Sequence, residues 1–162
     1  MDKINEGHRI LIFSQFVSAL EIIKQEFNAL NIRYEMITGD TGAKERLGIC
    51  DDFNNNSEIK VVLISLKAGG TGLNLIGADT VIHLDPWWNL AAQNQASDRA
   101  HRIGQTRAVE VIKLIAENSI EQRVIELQNE KKELVEMMIA ENDESIKNLS
   151  IEDLKSLLSN NL

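Results

Sequence analysis

Arg99 and Arg102 stand three residues apart, and Gln95 lies one further turn back. On a helix, side chains at these spacings leave one face. Two guanidiniums and an amide directed at one point suit a group carrying several charged oxygens, such as a triphosphate. Arginine fits that task because its fork is planar and permanently charged. Spacing alone does not separate this from a solvated helix face. Upstream, Gly69, Gly70, Thr71 and Gly72 form a glycine-rich turn. A backbone without β-carbons can come close to a phosphate and offer its amides there, although the same residues also suit a tight turn with no ligand. Neither GxGxxG nor GxxxxGK followed by Ser or Thr occurs in the chain, so the sequence holds no complete nucleotide-binding loop.

A scaffold able to aim these groups is legible in the alternation of apolar runs. Residues 9–13 (RILIF) read as a buried strand, and Ser14 can cap the helix after it. That helix carries Phe16, Leu20, Ile23, Phe27 and Leu30 at spacings of four and three, an amphipathic pattern. Residues 33–37 read as a second strand and 38–42 as a turn. A helix from about residue 43 is predicted to bury Leu47, Cys50 and Phe53. Residues 60–65 (KVVLIS) are continuously apolar up to Ser65, as in a strand covered on both faces. Residues 80–84 and 109–115 complete five strands. Strand–helix alternation implies a parallel sheet with right-handed crossovers. Ligands of such sheets sit beyond the carboxyl ends of the strands. The polar turns at 14–15, 38–40, 65–74 and 85–89 all follow strands, so they are predicted to gather on that rim. Residues 1–8 read as a disordered lead-in. Ser119 with Gln122 matches a capping box opening a long helix to about residue 140, whose Val124, Leu127, Leu134 and Met138 read as core packing. Residues 142–148 read as a polar linker, and Ser150 caps a last helix with Ile151, Leu154, Leu157 and Leu158.

The chain has 162 residues, 43% hydrophobic and 26% charged, which suits one domain with a substantial core. Its net charge is −8. Residues 1–116 carry 12 Lys and Arg against 14 Asp and Glu, whereas residues 117–162 carry 5 against 11. The acidity therefore lies mainly in the tail. With no long basic stripe, the chain alone should hold nucleic acid weakly. Cys50, the single cysteine, excludes an internal disulfide and reads as a small core residue. His83 reads as core and His101 as a packing or hydrogen-bonding residue, and one cysteine with three scattered histidines supports no metal site. No apolar run approaches the ~20 residues of a membrane span, and no signal peptide is visible. A cytoplasmic location is expected, nucleoid-associated in a bacterium and nuclear in a eukaryote.

Trp87 and Trp88 follow the fourth strand directly. Either one packs inward and the other is exposed for stacking on nucleic acid, or both are packed. The string DRAHRIGQ, preceded by GGTGLNL and DPWWN, resembles the last motifs of the Swi/Snf-type ATPases, helicase-superfamily DNA translocases. The resemblance spans residues 9 to about 140. It implies a RecA-like second lobe, α/β with an open, mainly parallel sheet, helices on both faces and C-terminal helices added. The lobe would occupy 9–118, a packing helix 119–141, and a linker with a terminal helix 142–162. It implies Arg102 as an arginine finger with Arg99 supporting it. Gly72, Asn74 and Gln95 would lie near the nucleotide, and Asp98 would orient Arg99 or be merely solvated. Ser14, Gln15, Thr38, Gly39, Arg46, Lys67, Gly70, Thr71 and Trp88 would lie along DNA, although for Arg46 a helix-surface salt bridge is an equal reading. The implied cofactor is ATP with Mg2+, the metal held by a first lobe that would precede Met1. The implied partners are double-stranded DNA and that first lobe, with no membrane. This chain alone would be part of an ATP hydrolase and inactive by itself. Leu90, where the family commonly has proline, and residues 92–94 depart from the pattern beside the arginine motif. Two alternatives stand: a non-catalytic nucleic-acid-binding or scaffold module, and a Rossmann-type dinucleotide-binding domain.

Overall fold

The computed structural model describes residues 2–69, 72–85, 87, 90–100 and 108–140, without the side chains of 90–92 and 131–140. The strands are β1 (Ile10–Ser14), β2 (Tyr34–Ile37), β3 (Val61–Ser65), β4 (Thr80–His83) and β5 (Glu110–Lys113). All pair in parallel, in the order β2-β3-β1-β4-β5. The helices are α1 (Asp2–Asn5), α2 (Val17–Ala29), α3 (Ala43–Asn55), α4 (Leu66–Gly69), α5 (Leu90–Ser97) and α6 (Ile120–Ala140). The chain divides into two compact units, Met1–Val124 and Ile125–Leu162, and the sheet belongs to the first.

The period of two in a strand splits the core into two layers. Leu11 and Phe13 of β1 with Val62 and Ile64 of β3 face Cys50 and Phe53 of α3 and Ala96 of α5. Ile10 and Ile12 with Val61 and Leu63 face Leu20 and Phe27 of α2. Both faces of the central strands are covered, which is why they read as unbroken apolar runs. Each large side chain so buried contributes about 1.5–3 kcal/mol relative to exposure. The edge strand β5 is mostly exposed, with Val111 at 42%. No helix among the described residues is long and apolar enough to cross a membrane.

Several expectations are corrected. The lead-in is ordered from residue 2: α1 places Ile4 against the second core layer and Lys3 on Glu110 of β5. Leu47 is 67% exposed, because α3 turns Cys50 and Phe53 inward instead. Phe16 is 56% and Leu30 52% exposed, since each flanks α2 rather than lying within it. Ser14 does not cap α2 as its N-cap. Phe16 occupies that position without a side-chain cap, while the Ser14 hydroxyl accepts the Phe16 N–H at 3.0 Å. Ser119 does open α6, accepting the Gln122 N–H at 3.4 Å, but the Gln122 side chain reaches the Asn118 N–H rather than that of Ser119. Leu127 is 44% exposed. The expectations for His101 and residues 142–162 lie outside the described residues, and those for the packing of Leu134 and Met138 outside the described side chains.

Candidate nucleotide and nucleic-acid interface

The parallel register sets Ser14 beside Ser65 and brings Thr38, one residue past β2, to the same row. The carboxyl ends of β1, β2 and β3 therefore form one polar rim. The turn after β2 is built by its own side chains: Thr38 N donates to the Thr41 hydroxyl at 2.9 Å and Asp40 N to the Thr38 hydroxyl at 3.3 Å. From α3, Arg46 Nη2 donates to the carbonyls of Thr38 and Gly39 at 3.2 and 3.1 Å. Arg46 thus braces this turn, and Gly39 stays exposed. Lys67, on α4, is also exposed. Gly69 packs rather than binds: a β-carbon there would meet the Phe13 ring at 3.0 Å. Gly72 is exposed with φ +52°, a conformation glycine adopts without the cost of a β-carbon. Gly70, Thr71 and Trp88 lie outside the described residues.

Ser14 itself is fully buried. Its hydroxyl donates to a carboxylate oxygen of Asp85, and Gln15 N donates to the other at 2.9 Å. Asp85 is only 5% exposed and follows β4. The Ser14 hydroxyl and the Gln15 and Phe16 amides are thus engaged inside the protein.

The rim does not hold the whole of residues 65–74, as the sequence suggested. β3 ends at the carboxyl rim, but β4 begins level with Ile10 at the opposite end, so the chain between must descend. Asn74 has left the rim: its carbonyl accepts Asn54 Nδ2 at 2.9 Å, from the last turn of α3. The Leu75 N–H donates to the Arg99 carbonyl at 3.2 Å. The structure therefore brings the segment at Asn74 and Leu75 beside Arg99.

Helix α5 carries Gln95, but Arg99 falls beyond its end. Arg99 N and Ala100 N bond three residues back, to Ala96 O and Ser97 O at 3.2 and 3.1 Å. Bonds of this spacing close a tighter turn than the helix before it. Gln95 and Asp98 are exposed, whereas Arg99 is 4% exposed. Arg102, and with it the expected shared face of the two arginines, lies outside the described residues.

His83, fully buried, ends β4 and lies 3.0 Å through Nε2 from the Ser97 hydroxyl of α5, stacked on Phe13. Burial, helped by the Lys113 charge, lowers its pKa to about 4, so it is neutral at pH 7. Burial likewise raises the Cys50 thiol, as suits an inert core residue. Among the described residues no three His, Cys, Asp or Glu groups could hold a metal ion. The donors present, exposed amides of Gln95 and the Gly72 backbone, suit a polyanion's oxygens but not its metal.

Sequence reasoning missed the residues that pin the sheet ends. Arg9 donates to the Phe53 and Asn56 carbonyls, and to that of Ile59 at 3.3 Å, with its guanidinium 4.0 Å over the Phe53 ring. Asp79, 5% exposed, accepts Arg9 N at 3.1 Å. Asp85 does the matching work at the rim. A buried aspartate is indistinguishable in sequence from a solvated one when its partner lies 70 residues away.

The family model for the helicase conserved C-terminal domain matches residues 1–104. An uncharacterized ATP-dependent helicase of Mycoplasma pneumoniae is 43% identical over 156 residues, covering 96% of this chain and 15% of that protein. Helicase SWR1 of Saccharomyces cerevisiae is 39% identical over 153 residues, 93% of this chain and 10% of that protein. The crystal structure of the C-terminal part of the Fun30 ATPase domain superposes with a TM-score of 0.74 at 35% identity, over 77% of this chain and 40% of that one. The chain thus spans a small part of the length of these curated relatives. Its RecA-like parallel sheet and its sequence together place it in the helicase conserved C-terminal domain family, as the C-terminal lobe of a Swi/Snf-type ATPase.

Proposed function

We propose that this lobe is half of an ATP-dependent double-stranded DNA translocase. A first lobe would supply the phosphate-binding loop, the general base and the carboxylates that hold Mg2+. ATP would lie in the cleft between the lobes, with Arg102 reaching its γ-phosphate. Such a finger neutralises charge developing during phosphoryl transfer. Arg99, buried beside Leu75, would support Arg102 from behind rather than reach out itself. Gln95, Asp98, Gly72 and Asn74 would line the nucleotide side. Gly39, Lys67, Gly70, Thr71, Trp88 and the Gln15 side chain would follow the DNA backbone, with Ser14, Thr38 and Arg46 shaping the turns. Cycles of lobe closure would step the motor along the duplex, in the nucleoid or nucleus where DNA lies.

The observation that carries this reading is the family match over residues 1–104, a span that includes Gln95, Arg99 and Arg102. The test is steady-state ATPase of the full-length protein with duplex DNA. Arg102→Ala should lower turnover by about 10³-fold or more, and unchanged turnover would sink the reading. The isolated chain should turn over no ATP, and turnover there abolished by Arg102→Ala would reveal a complete site within it.

A further inference from the structure

We propose that Asp85 is a positioning residue that sets the β1–α2 turn against the polynucleotide, an inference that rests on the DNA-motor reading above. The chain leaves β1 toward β2 on one side and leaves β4 toward β5 on the other, so the β1–β4 junction is the switch point of the sheet. Asp85 spans that junction. It is 5% exposed, and a carboxylate so buried is stable only with donors supplied to it. Both donors come from the turn, the Ser14 hydroxyl and the Gln15 amide.

The clamp extends one residue further. Ser14 Oγ lies 3.0 Å from the Phe16 N and 3.2 Å from the Phe16 O. A hydroxyl has one proton, and it goes to the nearer partner, Asp85, leaving the oxygen to accept the Phe16 amide. Phe16 is therefore held by its backbone while its ring stands 56% exposed at the rim. An apolar ring held at the surface is unfavourable for the lobe alone and suits packing on the sugar edge of a duplex strand. Ser65, level with Ser14 in the sheet and also buried, has a hydroxyl with no hydrogen-bond partner among the described residues. Among the described residues the buried carboxylate clamp is thus found at the β1 turn, whereas the β2 turn is braced by Arg46 instead. Asp85 also precedes α5, the helix of Gln95, so a shift of that helix would pull on the same turn.

Three variants of the full-length protein test this. Asp85→Ala removes both acceptors and should raise the duplex DNA concentration for half-maximal ATPase by about tenfold or more, while turnover at saturating DNA falls much less. Asp85→Asn should recover to within about threefold of wild type. Its amide oxygen accepts Gln15 N–H and its NH2 donates to Ser14 Oγ, whose proton turns to the Phe16 carbonyl. Ser14→Ala, a milder change, should raise the DNA requirement in the same direction and add little to Asp85→Ala. Hydrogen exchange at the Gln15 and Phe16 amides should be faster in Asp85→Ala than in wild type and slow again in Asp85→Asn. An unchanged DNA requirement in Asp85→Ala and Ser14→Ala would overturn the inference, as would exchange unaltered by Asp85→Ala. A wild-type protein indifferent to DNA would overturn both the motor reading and the positioning role, with exchange still reporting the clamp by itself.

Discussion

The two ends of the sheet are held by the same kind of residue to different effect. At the amino end, Asp79 accepts the Arg9 amide, and the Arg9 guanidinium joins three carbonyls and the Phe53 ring. Asn54 adds bonds to Asn74 and Gly77. At the carboxyl rim, Asp85 accepts the Gln15 amide and the Ser14 hydroxyl, yet Phe16, which the same Ser14 hydroxyl holds by its amide, remains exposed. One aspartate closes an end of the core, and the other sets a surface in place. Burial of a carboxylate therefore does not by itself mark a functional site. The exposed Phe16, held through Ser14, is what distinguishes the rim.

Breaking the amino end should give the largest change in stability. Arg9→Ala removes charge-assisted bonds to three carbonyls and a ring contact, and should cost about 4 kcal/mol in urea unfolding. The DNA requirement of the full-length ATPase should stay unchanged, and a large rise in it would erase the contrast between the ends. His83 is at the carboxyl end of β4. Its pKa is lowered from 6.5 to about 4, so the unfolded chain takes up a proton that the folded chain refuses. Stability is then lost as pH falls from about 6.5 to 4, by about 3 kcal/mol in all, and levels off below. His83→Gln should flatten that part of the unfolding profile, and an unchanged slope would show that His83 does not titrate as described. The smallest effect is expected for the exposed Lys67. Lys67→Ala should weaken DNA binding a few-fold and reduce the slope of log affinity against log salt by about 1. An unaltered slope would remove Lys67 from the DNA side.

The strands and long helices were legible because their signals are local. Residues 60–65 announced a doubly covered strand, and β3 is one. Capping at Ser119 was readable from three residues and appears with a shifted partner. The errors came where a neighbour distant in sequence decided the outcome. Leu47 satisfied the helical period, yet α3 seats Cys50 and Phe53 on the sheet and leaves Leu47 in solvent. Ideal helical spacing continues through Arg99, but α5 ends at Ser97 and the backbone beyond it forms a tighter turn. The descent of residues 72–79 could not be seen without the register of β4 against β1.

From the amino-acid order alone came the parallel α/β architecture, the order of its elements and the family motifs around Arg99 and Arg102, since periodicity and short motifs are properties of neighbouring residues. Only the folded chain decided which polar groups are available to a ligand. Ser14, the Gln15 amide and Arg46 are turned to internal partners, while Gly39, Lys67 and Phe16 face outward. That division follows from hydrogen bonds between segments up to 71 residues apart, because a buried donor or acceptor must be satisfied wherever in the chain its partner lies.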